Sequence, residues 1–156
     1  MPKKIDPLNK KQYGAVSVSL PVTDIAAASR FYQQALGFKK RSSMNGPGGK
    51  LIHVELENRG SVIMLGCEMP ERGRTSAKTA GVSPTSLYLL TEDVDKVVAK
   101  AVKLGATAQG PVMDMFWGDR SGMIVDPEGY GWMIATHIAE PTPQEMKKKM
   151  KEQMGG

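Results

Sequence analysis

The sequence predicts an α+β fold: two tandem βαβββ modules forming curved mixed sheets around a concave cleft, with a helix at the C-terminus. Three observations lead there. A strand, a helix and three further strands succeed one another, and the same succession then starts again. Offsetting the chain by 68 positions sets Leu20 on Tyr88, Val22 on Leu90, Leu36 on Leu104 and Gly37 on Gly105. Each half also closes in a hairpin built around a turn. The repeat is one of pattern rather than identity, and its physical meaning is that each half exposes a sheet face that its partner covers. The expected organisation is a flexible arm over 1–13, a domain over 14–138 and a helix with tail over 139–156. Within the domain, module one spans 14–66, a loop 67–84 and module two 85–138.

The elements follow from local chemistry. Val16, Val18 and Leu20 alternate with Ser17 and Ser19, the period of a half-exposed strand. Thr23-Asp24 offers an N-cap, and Ile25, Ala28, Phe31, Ala35 and Leu36 then make one helical stripe that Gly37 closes. Phe38–Ser42 reads as a strand, and the Asn45–Gly49 cluster forces a loop. Leu51–Leu56 and Ser61–Leu65 form a hairpin across Asn58-Arg59-Gly60. The segment from Cys67 to about Pro84 is polar and long for a connection, the profile of a lid, a binding loop or a mobile connector. Leu87–Leu90 resumes a strand. Asp93 caps a helix bearing Val94, Val97, Val98, Ala101, Val102 and Leu104, and Gly105 ends it. Ala106–Val112 is the next strand.

From Phe116 to His137 the chain reads strand, turn, strand. Asp126-Pro127-Glu128-Gly129 is turn chemistry between Met123-Ile124-Val125 and Trp132-Met133-Ile134. Thr142-Pro143-Gln144-Glu145 then supplies a capping box for a last helix with a thin stripe of Met146 and Met150 among lysines. That stripe is too narrow for a membrane-surface role and suits a helix laid on the body or on a sister subunit.

Composition narrows the function. Hydrophobic residues at 40% and charged residues at 24% are ordinary for a soluble globular protein. No apolar run approaches the roughly 20 residues that span a bilayer. The lysines near the start precede no apolar segment, so no secretory signal is expected. The one cysteine, Cys67, cannot form an intrachain disulfide, and a reducing, cytoplasmic setting is the expectation. Residues 1–12 and 142–156 hold eight lysines against three acidic side chains, which accounts for the whole net charge of +5 and leaves the body neutral. A nucleic-acid binder carries its charge on the face that docks. Neither a nucleic-acid nor a membrane partner is expected.

Trp117-Gly118-Asp119-Arg120 sets an aromatic, a flexible joint, a carboxylate and a guanidinium side by side, a mixture suited to a pocket rim. Asp119 and Arg120 have two readings: general base and anion clamp, or an ion pair or turn cap. Phe116, Trp117, Trp132, Tyr88 and Met64 are either core or the wall of a site for an apolar or aromatic guest. The two histidines are His53 and His137. His53 and Glu55 share a strand face. Cys67 is a reactive thiol or an inert edge residue. No spacing specifies a Ser/His/Asp nucleophile, and Gly46–Gly49 contains Pro and precedes no helix, unlike a phosphate loop.

The paired halves, Ala27-Ala28-Ser29-Arg30-Phe31-Tyr32 with Ala35-Leu36-Gly37-Phe38, and Asp126-Pro127-x-Gly129 resemble the vicinal oxygen chelate superfamily of glyoxalase I, bleomycin-resistance proteins and extradiol dioxygenases. Trp117-Gly118-Asp119-Arg120-x-Gly122, followed by Asp126-Pro127-x-Gly129-x-x-Trp132-x-Ile134-Ala135-Thr136-His137, is similar to its PhnB-type branch, which has a histidine near the place of Tyr130. The resemblance implies a divalent ion held by His and Glu from four inward strand positions. Carried over, these fall near Ser17, Ser86, Met64 and Met133. Hydroxyls and thioethers are poor ligands for such ions. The expectation is a small-molecule-binding protein without a cofactor, homodimeric as the superfamily commonly is, that binds or sequesters an apolar or aromatic compound. The expected ligand-binding residues are His53, Met64, Tyr88, Phe116, Trp117, Asp119, Arg120 and Trp132. The alternative is a metal-dependent lyase, isomerase or dioxygenase with one divalent ion relocated to His53, Glu55 and His137.

Overall fold

Two compact units divide the chain, Met1–Ala80 and Gly81–Gly156, in a computed structural model that describes residue 1 and residues 3–155. The first unit begins with β1 (Val18–Val22) and α1 (Ile25–Leu36), followed by β2 (Lys39–Asn45), β3 (Leu51–Asn58) and β4 (Ser61–Cys67). Its sheet runs β1-β4-β3-β2, with β1 parallel to β4 and the other pairs antiparallel. Asp24 starts α1 by accepting the Ala27 N–H at 2.9 Å, and Gly37 ends it in the left-handed region. One face of the sheet, with Leu20, Val54, Leu56, Ile63 and Leu65 buried, packs on the Ala28, Phe31, Tyr32 and Ala35 stripe of α1. The β3–β4 loop is the two residues Arg59 and Gly60, both at positive φ, which matches a tight hairpin to the twist of its strands.

The segment after β4 is not featureless. It holds a short 3-10 turn at Pro70–Arg72 and the four-residue α2 (Ala77–Ala80), and the Ser76 N–H bonds Glu68 Oε1 at 2.7 Å.

The second unit contains β5 (Ser86–Leu90), α3 (Val94–Lys103), β6 (Thr107–Ala108), β7 (Met113–Asp114), β8 (Asp119–Val125) and β9 (Gly131–His137), then α4 (Pro143–Met154). Its sheet runs β5-β9-β8-β6 with β7 also on β8, and β5 is parallel to β9 as β1 is to β4. The two units are thus the same α+β design, open curved mixed sheets each backed by a helix. The single strand expected over 106–112 is instead two short pieces. Gly110 at φ 85° and Pro111, which has no N–H to donate, interrupt the ladder between them.

The sequence repeat also needs a correction of one residue. The helix caps Asp24 and Asp93, and the buried Leu20 and Leu89, match at an offset one larger than the one that aligns Gly37 with Gly105. Leu20 therefore corresponds to Leu89, not Tyr88. Because side chains alternate along a strand, that slip moves Tyr88 from the helix-backed face to the open one. Asp126 anchors the turn between β8 and β9: its Oδ1 accepts the N–H groups of Glu128 and Tyr130, and its Oδ2 accepts the Trp132 indole N–H at 2.9 Å. Among the described residues no helix is long and apolar enough to cross a membrane.

Candidate functional site

The open face of the second sheet is read directly from its register. Tyr88, Met133 and Met123 stand opposite one another across β5, β9 and β8, and Asp119 stands opposite His137. Positions four apart on a strand share a face, so these five side chains lie on one surface. The other surface meets α3: a Cβ placed on Gly122 would come within 3.3 Å of Val98, and Ile124 and Ile134 are buried beside it.

Asp119 is the centre of the open face. It is buried, and Tyr88 donates its hydroxyl to Oδ2 at 2.5 Å while the Trp117 indole N–H donates to the same oxygen at 3.2 Å. His137 Nδ1 lies 2.8 Å from Oδ1, and its Nε2 lies 3.5 Å from Glu140. Burial pushes the Asp119 carboxyl up, but the bonds from Tyr88, His137 and Trp117 outweigh it and hold the group below the usual carboxylate range. Hydrogen bonding to Asp119, then to Glu140, raises His137. Burial and the bond to Asp119 raise the Tyr88 phenol, so it remains a donor. The arrangement is an anchored carboxylate under an open aromatic and thioether surface: Tyr88 is 50% exposed and Met123 40%.

Trp117 is delivered to this face by a backbone turn. Gly118 sits at φ 103°, its carbonyl accepts the N–H groups of Ile138 and Ala139, and a Cβ there would lie 2.1 Å from the Ala139 oxygen. Only glycine fits. Phe116 packs edge-on against Trp117 with centroids 5.0 Å apart. The Gln153 side chain of α4 pins the same turn, accepting from the Phe116 N–H at 3.0 Å and donating to the Asp114 carbonyl at 2.6 Å.

The remaining sequence candidates fall elsewhere. Trp132 is 2% exposed and belongs to the core through Asp126. Arg120 is no open anion clamp and does not pair with Asp119: its guanidinium bonds both oxygens of Asp95 on α3, at 2.8 and 3.0 Å, and Asp114 at 2.8 Å. His53, Glu55 and Met64 stand on the open face of the first sheet, where Met64 pairs with Glu55 and with Ser19. There Glu55 accepts the Tyr13 hydroxyl at 2.6 Å, with Arg41 Nε at 3.3 Å and His53 Nε2 at 3.4 Å. Burial pushes Glu55 up, and its bonds to Tyr13 and His53 with the nearby Arg41 charge bring it below its usual range. Tyr13, Arg41 and Glu140 were not among the sequence candidates. Arg41 reaches the open face because a bulge between Lys40 and Ser42 inserts it as an extra residue, which periodicity cannot foresee. Tyr13 carries no local signal, since its partner lies 42 residues away.

The donor set does not fit the ion that the superfamily's enzymes hold. The four carried-over positions are two serines and two methionines, and the open-face row through Met133 is completed by Tyr88 and Met123. The row through Met64 offers one carboxylate, Glu55, which already accepts from a phenol and a guanidinium. Among the described residues no group of three or more His, Cys, Asp or Glu is placed to hold a metal.

Comparison with known proteins bears on the family and the fold. The family model described as Glyoxalase/Bleomycin resistance protein/Dioxygenase superfamily matches residues 14–134. The uncharacterised protein Mb0911c of Mycobacterium bovis is 34% identical over 145 residues, 91% of this chain and 95% of its own length. A glyoxalase/bleomycin resistance protein/dioxygenase family enzyme from Burkholderia phytofirmans PsJN superposes with a TM-score of 0.64 at 24% identity, over 78% of this chain and 97% of that one. TnmS3, an antibiotic binding protein from Streptomyces sp. CB03234, does so with a TM-score of 0.56 at 26% identity, over 80% of this chain and 99% of that one.

Proposed function

We propose that this chain, which belongs to the glyoxalase, bleomycin-resistance protein and dioxygenase superfamily, binds or sequesters an apolar or aromatic small molecule without the superfamily's usual metal. The observation that carries this reading is the open face around Asp119. An exposed tyrosine ring and two methionines offer a polarisable surface for a flat guest, and Trp117 and His137 border it. Asp119 positions Tyr88, Trp117 and His137 before any ligand arrives, so little ordering cost remains for binding. The likeness to an antibiotic-binding protein supports the same class of ligand. In this reading the protein works in the cytoplasm as a homodimer, which light scattering after gel filtration tests.

A thermal-shift screen of aromatic compounds tests the binding itself. A ligand present at about 100 times its Kd stabilises the fold by about 2.7 kcal/mol. Trp117→Ala and Met123→Ala should lose most of that shift, while Val82→Ala, away from the face, should keep it. No stabilisation by any aromatic compound would end the reading. Elemental analysis of protein purified without chelators tests the metal: a stoichiometric divalent ion that disappears in His53→Ala would replace this proposal with the metal-dependent one.

A further inference from the structure

Glu55 on the first sheet is a buried carboxylate with three donors, and one of them does not belong to the sheet. Arg41 and His53 stand on β2 and β3, whereas Tyr13 stands on the N-terminal arm, outside any helix or strand. Among the described residues, two hydrogen bonds and one ring contact join this arm to the sheet. Tyr13 donates its hydroxyl to Glu55 at 2.6 Å, Arg41 Nη1 donates to the Gln12 carbonyl at 2.6 Å, and the Arg41 guanidinium lies 4.7 Å from the centre of the Tyr13 ring. A cleft of about 420 Å3 runs alongside, lined by Lys10, Gln12, Tyr13, Arg41 and Glu57.

The contacts Tyr13 makes through its side chain are those any free phenol would make: a charge-assisted hydrogen bond to a carboxylate and a ring against a guanidinium. None of them needs the tyrosine backbone. A side chain tethered beside its site competes at an effective concentration on the order of millimolar. The geometry points to Glu55, Arg41 and His53 as a binding site for a phenolic compound, which the chain fills with its own Tyr13 until a ligand displaces it. Every residue of this site lies within the first unit.

Such a plug lowers apparent affinity by the fraction of time the site is open. The test is a titration of the full chain with p-cresol, the free equivalent of a tyrosine side chain. It is followed by the ring signals of His53 and His137, which a His137→Asn variant tells apart. Tyr13→Ala should bind p-cresol at least tenfold more tightly than the native chain, with His53 as the responding ring. Tyr13→Phe, which keeps the ring and drops the hydroxyl, should gain less. Toluene, which lacks the hydroxyl, should bind Tyr13→Ala about tenfold more weakly than p-cresol, as should p-cresol itself once Glu55→Gln is added. Equal affinities of the native and Tyr13→Ala chains, toluene matching p-cresol, or a response confined to His137 would each overturn the inference. A response at His137 alone would still leave the face around Asp119 as a binding site, so the two proposals fail separately.

Discussion

Glu55 in the first unit and Asp119 in the second rise from the open faces of sheets of the same design. Both are buried, and each accepts a phenol hydroxyl and faces a histidine. Their partners come from different places. Asp119 is served by Tyr88 on β5, His137 on β9 and Trp117 on a turn that only glycine can make. Glu55 receives its phenol from an arm outside the sheet and its guanidinium from a bulge. The lesson is one of permanence. A carboxylate satisfied by its own sheet stays organised as long as the sheet is folded, whereas one satisfied by a tether can be vacated without unfolding anything.

The largest expected effect tests the two turns. Gly118→Ala must put a Cβ into the Ala139 carbonyl at a positive φ, and should cost about 3 to 5 kcal/mol in denaturant unfolding. Gly60→Ala, in the β3–β4 turn, meets nothing within 4 Å and carries only the backbone penalty, about 1 kcal/mol. Equal costs would mean that the second unit's turn is as forgiving as the first's.

Next come the carboxylates. Asp119→Asn turns an amide N–H toward existing donors and should cost about 2 kcal/mol, after allowing for solvent screening at the exposed Tyr88 and His137. Glu55→Gln should cost about 1 kcal/mol, because the Tyr13 arm can turn to water. If Glu55→Gln proved the costlier of the two, the tethered phenol would be a structural part of the first unit.

The smallest effect is in the pH dependence. His137 should titrate above its ordinary 6.5 in an NMR pH series. A raised folded-state value means that its contact with Asp119 contributes stability below the unfolded value, and that this is lost as pH rises through the folded one. Asp119 gives the opposite limb: its value is depressed below 3.8, so its contribution is present above that pH and lost as acid titrates the folded group. The stability difference between native and His137→Asn chains should therefore shrink on moving from pH 6 toward pH 8. A constant difference would show that the pair is not ionic.

Much of the fold was legible because its signals are local. Asp24 and Asp93 announce their helices by capping within three residues, and Arg59-Gly60 and Asp126–Gly129 announce their turns. The site was legible only in part. Trp117, Asp119 and Tyr88, singled out by residue type, do meet in one hydrogen-bonded group, but the partner of Arg120 carries no local signal, since Asp95 lies 25 residues away on a helix. Nor could composition separate Trp132, whose indole serves the core, from Trp117, whose indole serves the open face. Strand parity was the other blind spot: aligning the halves one residue out set Tyr88 on the buried Leu20, the place that belongs to Leu89.

Gln153 carries one more consequence. Its amide accepts from Phe116 N–H and donates to Asp114 C=O, so a helix side chain stands in for one peptide unit of a neighbouring strand beside β7. A sheet margin with open N–H and C=O groups is a template on which a foreign chain can add itself. Here Gln153 occupies one such N–H and one such C=O, and the lysines of α4 come with it. A strand adding itself at this point would first have to displace the Gln153 side chain and with it the basic terminal helix.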